Sequence, residues 1–222
     1  CETFNGNLLW EPWEILKKDG TPYKVFTPFY RKGCLGSSPP RVPLPKPPKI
    51  NLKQNIVKNN EFDINKTNTN NWQKSILSHA LIGEKKAFER LEFFIKNGLK
   101  NYKDGRNFPS LDNVSRLAPN FHFGEISPNK VWYTVVNNKQ NENTDHFLSE
   151  LGWREFSNHL LYHFPQFIYE NLQKKFDGFP WKNDGIALKK WQKGLTGFPL
   201  VDAGMRELWQ TGSMHNRLRM VV

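Results

Sequence analysis

The stretch Thr144-Asp145-His146-Phe147-Leu148-Ser149-Glu150-Leu151-Gly152-Trp153-Arg154-Glu155-Phe156-Ser157-Asn158-His159-Leu160-Leu161-Tyr162-His163-Phe164-Pro165 decides how this chain folds. Thr144-Asp145 can cap a helix, Pro165 stops one, and Phe147, Leu151 and Leu160 lie between them at helical spacing, so residues 145–161 read as one long helix. Those three belong to its buried side, while Glu150, Trp153, Arg154 and Ser157 cover a neighbouring face. Glu150 and Arg154 stand one turn apart, the spacing of an ordinary i,i+4 ion pair. Trp153 shares that face, where an indole suits stacking on a base better than solvation.

Working outward, the pattern stays helical from about residue 83. Phe88, Leu91, Ile95, Leu99 and Tyr102 form one amphipathic stripe at spacings of 3, 4, 4 and 3. Ser127-Pro128 pairs a cap with proline at the first helical position and opens a helix over Val131 to Val136. Pro199 opens another that Gly212 stops, and Ser213 is placed to cap a last short helix. The loops at 103–118 and 171–198 are where a ligand site can be built. Upstream, residues 1–36 read as strand and loop, with β-prone runs at Leu8-Leu9-Trp10 and Val25-Phe26-Thr27. Ser37 to Pro48 is a proline-rich connector, and Arg41 to Lys58 carries five cations and no acid. Asn65 to Asn71 is polar and turn-rich without a defensible function.

The chain has 222 residues, a formal charge of +11, 37% apolar residues and 14% aromatics, including eight Trp and seventeen Phe. That supports one sizeable core and points to a polyanionic partner, nucleic acid being the commonest. Two cysteines make neither a disulfide framework nor a zinc site, so a reducing compartment is expected. There is no run of about 18 apolar residues to span a membrane, and no signal-peptide pattern opens the sequence. The chain starts at Cys1 without methionine and stops in an uncapped apolar helix, so it reads as an internal fragment of a longer protein.

Near the end, Gly212-Ser213-Met214-His215-Asn216-Arg217-Leu218-Arg219-Met220 sets Asn216, Arg217 and Arg219 within one turn: an amide for heterocycle edges beside two permanent cations. With Glu150 and Trp153 they suggest a pocket for a nucleobase or a flat anion. Tyr102, Arg106 and the run Val114-Ser115-Arg116-Leu117-Ala118 offer a hydroxyl, backbone amides and arginines of the kind that cradle phosphates. No GxGxxG, P-loop or GxSxG pattern is present. His159 and His163 are one turn apart but lack a third ligand, so no metal is expected.

Residues 19–33, 102–128, 150–165, 191–212 and 214–220, five motifs in order, resemble the photolyase/cryptochrome family, in the manner of a class I cyclobutane pyrimidine dimer photolyase. The resemblance spans all but residues 39–80. It implies a mainly α fold: the C-terminal remnant of an α/β antenna-binding domain (1–36), an interdomain connector (37–82), and the truncated first part of an all-helical FAD- and DNA-binding domain (83–222). It implies deoxyribodipyrimidine photo-lyase activity, in which blue light drives an electron from reduced FAD to a dimer flipped out of UV-damaged DNA. The same-fold alternative is a cryptochrome photoreceptor, and the blandest rival is a basic helical DNA-binding module without cofactor.

By the same resemblance, Tyr102, Val114, Ser115, Arg116, Leu117 and Ala118 hold the FAD phosphates and ribityl chain, and Phe147, Arg154 and Arg219 lie beside the cofactor. Arg106 contacts the DNA backbone. Glu150, Trp153, Asn216 and Arg217 line the lesion pocket, with Glu150 and Asn216 on the base edges, and Trp181 is the outermost electron-transfer tryptophan. Departures are Val114 for Thr, Ala118 for Ser, Phe147 for Trp, and Ser213 for Trp or Tyr. The remaining flavin ligands are expected beyond Val222, so the fragment alone is expected to be inactive and to bind FAD weakly or not at all. A folate- or deazaflavin-type antenna, a monomeric state and a cytoplasmic, nucleoid-associated setting in a bacterium complete the expectations.

Overall fold

Residues 4–49 and 70–222 are described by the computed structural model; Lys53, Lys58 and most of the Asn65–Asn71 patch lie outside them. The helices in chain order are α1 (Phe26–Pro28, continued by a π-helix over Phe29–Cys34), α2 (Asn71–His79) and α3 (Glu84–Phe93, continued by a π segment over Phe94–Gly98 and a 3-10 turn over Leu99–Asn101). There follow α4 (Tyr102–Gly105), α5 (Ala118–His122), α6 (Pro128–Val136) and α7 (Glu142–His163). The last three are α8 (Gly185–Gln192), α9 (Pro199–Thr211) and α10 (Asn216–Arg219). The chain divides into two units, one of Cys1–Pro43 with Leu81–Asp184, the other of Leu44–Ala80 with Gly185–Val222.

The mainly helical expectation holds. The β-prone runs do not become strands: among the described residues the β pairing is one isolated bridge, Leu16 to Pro22. Strand propensity measures fit to a sheet surface, and here Phe26 begins a helical turn that lays its ring flat on Trp153, centroids 3.8 Å apart. The loop expected over 171–198 is likewise interrupted by α8.

In the first unit α7 packs against α4, α6 and the π-helix after α1. It begins three residues before the expected start, because Asn141 is the cap. The Asn141 side chain accepts the amides of Asn143 and Thr144, and the Thr144 hydroxyl accepts the Asn141 amide in return, a reciprocal box. Gly152 lets the π-helix approach: a Cβ there would lie 2.4 Å from the Tyr30 ring. The stripe from Phe88 to Tyr102 faces the core as expected. The two successive steps of 4 from Leu91 to Leu99 outrun the 3.6 of an α-helix, and the wider π segment over Phe94–Gly98 takes them up.

Residues 38–41 run extended beside α6. A proline-rich strand has no internal hydrogen bonds, so side chains serve its carbonyls: Trp10 donates to Ser38 at 2.9 Å, Asn129 to Arg41 at 2.8 Å, and the Tyr133 hydroxyl to Pro40. The Ser127 cap of α6 forms as read from the sequence, accepting the Lys130 amide at 3.1 Å.

In the second unit α2 lies on α9. The Ser75 hydroxyl donates to the Gln210 carbonyl at 2.8 Å, and Ile76 packs at Gly212, which ends α9 in the left-handed conformation. Asp202 accepts both the amide and the hydroxyl of Thr196 at 2.7 Å, tying down the turn before α9. Met205, Met214 and Leu218 form the core of this unit. The cap of α10 is His215, whose Nδ1 accepts the Arg217 amide; Ser213 stands outside the helix.

Candidate functional site

Glu150 and Trp153 come from the same turn of α7, three residues apart, and share a face. One face of the Trp153 ring is covered by Phe26; the residue is nonetheless 46% exposed, which leaves the other face for a planar partner. Glu150 does not pair with Arg154. Its carboxylate receives a hydrogen bond from Arg106, whose own guanidinium is 8% exposed and sits over the Tyr102 ring, 5.3 Å from its centroid. Burial penalises the Arg106 cation, but the hydrogen bond to Glu150 and the charge interactions with Tyr102 and Glu150 together outweigh that and raise its pKa. Arg106 is therefore committed to Glu150, with little surface left for a phosphate.

Arg154 turns the other way. It donates to the Glu155 carboxylate at 2.8 Å and to Asn7, against the N-terminal segment. Glu155, passed over in the sequence, is 2% exposed and accepts the amides of Leu9 at 2.8 Å and Trp10 at 3.3 Å. Desolvation pushes its carboxyl up to about 7 against the pull of those donors. The signal was legible: Glu155 interrupts the i,i+4 run of Leu151, Glu155 and His159 on the buried side of α7.

Tyr102 and Phe147 are brought together edge to face, 5.3 Å between centroids, but both rings are core residues. The 112–118 loop is held by Arg90, a second residue missed in the sequence. Its guanidinium donates to the carbonyls of Ser115 at 2.9 Å and Val114 at 2.6 Å and to both oxygens of Asp112. Those bonds hold the Asp112 carboxyl below its usual range. Arg90 shares α3 with the buried Ala87 and Leu91, an arginine spared from solvent that could have flagged it. Arg116 adopts φ +55°, followed by right-handed Leu117, so neighbouring amides alternate in hand as in an anion nest. With the Ser115 hydroxyl, the half-exposed Arg116 guanidinium and exposed Ala118 opening α5, the donor chemistry fits the diphosphate of the FAD that the resemblance implies.

Trp181 is 80% exposed, 4.6 Å from Phe179 in the first unit. In the second unit Asn216 is exposed at the first turn of α10 and Arg217 is half-buried, while Arg219 folds back to donate to the Met214 carbonyl at 3.1 Å. Among the described residues no three His, Cys, Asp or Glu side chains cluster to hold a metal, and no helix is long and apolar enough to cross a membrane.

Comparison with known proteins bears on these positions. A family profile described as the FAD binding domain of DNA photolyase matches residues 147–222, and one described as DNA photolyase matches residues 1–49. The chain is 40% identical over 228 residues to the deoxyribodipyrimidine photo-lyase of Agrobacterium fabrum, covering 99% of this chain and 47% of that protein. It is 34% identical to cryptochrome-2 of Arabidopsis thaliana, covering 100% of this chain and 39% of that one. The crystal structure of a bacterial class III photolyase from Agrobacterium tumefaciens superposes with a TM-score of 0.89 at 39% identity, over 97% of this chain and 46% of that chain. The chain thus spans about half the length of the curated relatives it matches.

Proposed function

The chain belongs to the photolyase/cryptochrome family, and from that premise we propose that it is about half of a deoxyribodipyrimidine photo-lyase, the enzyme that splits cyclobutane pyrimidine dimers in UV-damaged DNA. One observation carries the reading: α7 presents a carboxylate held in place by a buried arginine beside an indole with one uncovered face. A flipped, poorly stacked lesion costs only a few kcal/mol to extrude. Trp153 stacks on it, Glu150 accepts hydrogen bonds from the base edges, and Arg106 fixes the carboxylate. In the second unit, taken by itself, Asn216 offers an amide and Arg217 a cation of the kind that contacts nucleic acid. Those polar groups serve a lesion better than they serve signalling, which favours repair over the cryptochrome reading.

FAD is the cofactor in this proposal. Ser115, Arg116 and the amides through Leu117 and Ala118 hold its phosphates, with Val114 in the same loop; Tyr102, Phe147 and Arg154 stand as its further neighbours. Bound and reduced, it supplies the electron on blue-light excitation, and Trp181 is the outer end of its reducing chain. Within the family, the likeness to the Agrobacterium structure supports a class III type over the class I type expected from the motifs. The segments 1–36, 37–82 and 83–222 are proposed as antenna-domain tail, connector and helical domain. A folate- or deazaflavin-type antenna, a monomeric state and a nucleoid-associated setting rest on the resemblance.

The test is binding of oligonucleotides with and without a thymine dimer, read by fluorescence anisotropy. The chain is expected to prefer the damaged strand, and Trp153→Ala or Glu150→Ala to cut that preference by about tenfold or more, since stacking on a base is worth roughly 1–3 kcal/mol. Equal affinity for both strands, unchanged in the variants, would remove the lesion pocket from α7.

A further inference from the structure

Tyr30, Phe26 and Trp153 lie in one parallel stack within the first unit. The Phe26 and Trp153 rings are 10° from parallel with centroids 3.8 Å apart, and Tyr30 lies behind Phe26 at 5.6 Å and 7°. Phe156 closes the side of the stack, edge-on to Phe26 and to Trp153 with centroids 5.9 Å from each. The stack runs from the interior outward: Tyr30 is buried, Phe26 is half-buried and Trp153 is exposed.

The backbone under Phe26 is fixed by its neighbours in sequence. Val25 is extended, and the Phe29 amide closes a turn onto the Val25 carbonyl at 3.2 Å. Pro28 locks its own φ at −66°, and the rings of Phe29 and Tyr30 are anchored in the core. On the other side the Lys24 ammonium sits over the Phe164 ring, 5.1 Å from its centroid. A ring mounted in this way is a backstop. At 3.8 Å the two ring surfaces touch, and a tilt of the indole that opens the contact by about 0.5–1 Å forfeits a quarter to a half of its attraction. Filling the core does not require this arrangement, because the core would gain more from burying Trp153 on both faces. An indole pinned flat with one face open serves what lands on that face.

We propose that Phe26 is a positioning residue for lesion recognition, holding the plane of Trp153 so that a base stacked on it offers its edge to Glu150. The inference deepens the lesion-pocket reading and rests on it. A base stacked on an indole lies parallel to it, and its edge groups hydrogen-bond in its own plane. Glu150 stands three residues before Trp153 on α7, with its carboxylate held by Arg106. The acceptor is thus fixed by one partner and the platform by another. A tilt of the indole turns the hydrogen-bond angle from above 150° towards 120°, where the bond weakens steeply. Phe26 itself touches no substrate. It acts through Trp153, removing beforehand the side-chain freedom that stacking otherwise has to freeze, an effect of about three- to tenfold in affinity. Binding to undamaged DNA is carried by charge and does not draw on it.

The test compares Phe26→Leu and Phe26→Met, which fill the space without a ring plane, with Phe26→Tyr, which keeps the plane. By fluorescence anisotropy, affinity for an oligonucleotide carrying a thymine dimer is expected to fall about three- to tenfold in the Leu and Met variants. The undamaged strand should bind as before, and Phe26→Tyr should stay within about twofold of the parent on both strands. In a Trp153→Ala background Phe26→Leu should have no further effect, because the ring it positions is gone. Without DNA, NMR relaxation of the Trp153 indole N–H, assigned by its absence in Trp153→Ala, should show picosecond-to-nanosecond motion rising in the Leu and Met variants and not in Phe26→Tyr. Circular dichroism and the urea midpoint check folding, and either ring-less variant that folds as the parent does is sufficient. An undiminished preference for damage in that variant, an equal loss on both strands, or the same loss with Trp153 already removed overturns the role of Phe26 and leaves the lesion pocket standing. Trp153→Ala with its preference for damage intact is the other failure, and it removes the pocket and the role of Phe26 together.

Discussion

Gly152 and Arg90 each do a job that no other residue type can do in place. Any β-carbon at 152 meets the Tyr30 ring at 2.4 Å, in a core where Tyr30 is itself stacked on Phe26 and has no room to retreat. Overpacking of this kind costs about 1–3 kcal/mol, so Gly152→Ala is expected to lower the urea midpoint at unchanged slope; an unchanged midpoint would mean the π-helix moves aside freely. Arg90 works through its planar fork, which reaches two carbonyls and both Asp112 oxygens at once. A lysine keeps the charge and loses the fork. Arg90→Lys should therefore speed amide hydrogen exchange across 113–117 by about tenfold, equivalent to roughly 1.4 kcal/mol of local stability, while distant helices exchange as before. Uniformly faster exchange throughout the first unit would contradict a role confined to the loop.

On α7 two buried titratable groups pull stability in opposite directions. The folded chain keeps a proton on Glu155 up to about pH 7, whereas the unfolded chain loses it near 4.5; this contribution is full below 4.5 and is lost as pH rises through 7. The unfolded chain protonates His159 near 6.5, whereas the folded chain resists until about 4; that contribution is full above 6.5 and is lost as pH falls through 4. Between 4.5 and 6.5 the two slopes offset one another. Relative to the parent, Glu155→Gln should uncover a melting temperature that falls from pH 6.5 towards 4, and His159→Leu one that falls from 4.5 towards 7. Each change is worth about 3 kcal/mol, or roughly 6–12 °C. Parallel profiles for parent and both variants would refute the shifts. The same helix shows how far the sequence can be read. Its extent, its proline stop and its Glu150–Trp153 face were legible because they are periodic and local. The Arg106–Glu150 pair was not, because 44 residues separate the partners and Arg154 was the nearer candidate by spacing. The first 36 residues misled because their aromatic, β-prone run finds a ring to stack on and no strand to pair with.

At the scale of the whole chain, a surplus of 11 positive charges sets the salt response. Each phosphate neutralised contributes about −0.9 to the slope of log affinity against log salt. Binding to duplex DNA is expected to weaken along a line steeper than about −3, and Trp153→Ala to leave that slope intact while removing the preference for damage. A slope near zero would take nucleic acid off the list of partners that charge suggests. The path of the chain has a further consequence, for biosynthesis. Ser75 and Gln210, bonded in the second unit, are 135 residues apart in sequence. The helix of Asn71–His79 leaves the ribosome long before the helix of Pro199–Thr211 that it lies on. At 5–20 residues per second that wait lasts roughly 7–27 s, during which Ser75 and Ile76 lack their mate. The intervening residues 81–184 can condense in the meantime, so a nascent-chain trap that has released the chain from the exit tunnel as far as about residue 190 should hold a protease-resistant first unit and a helix still open to a chaperone.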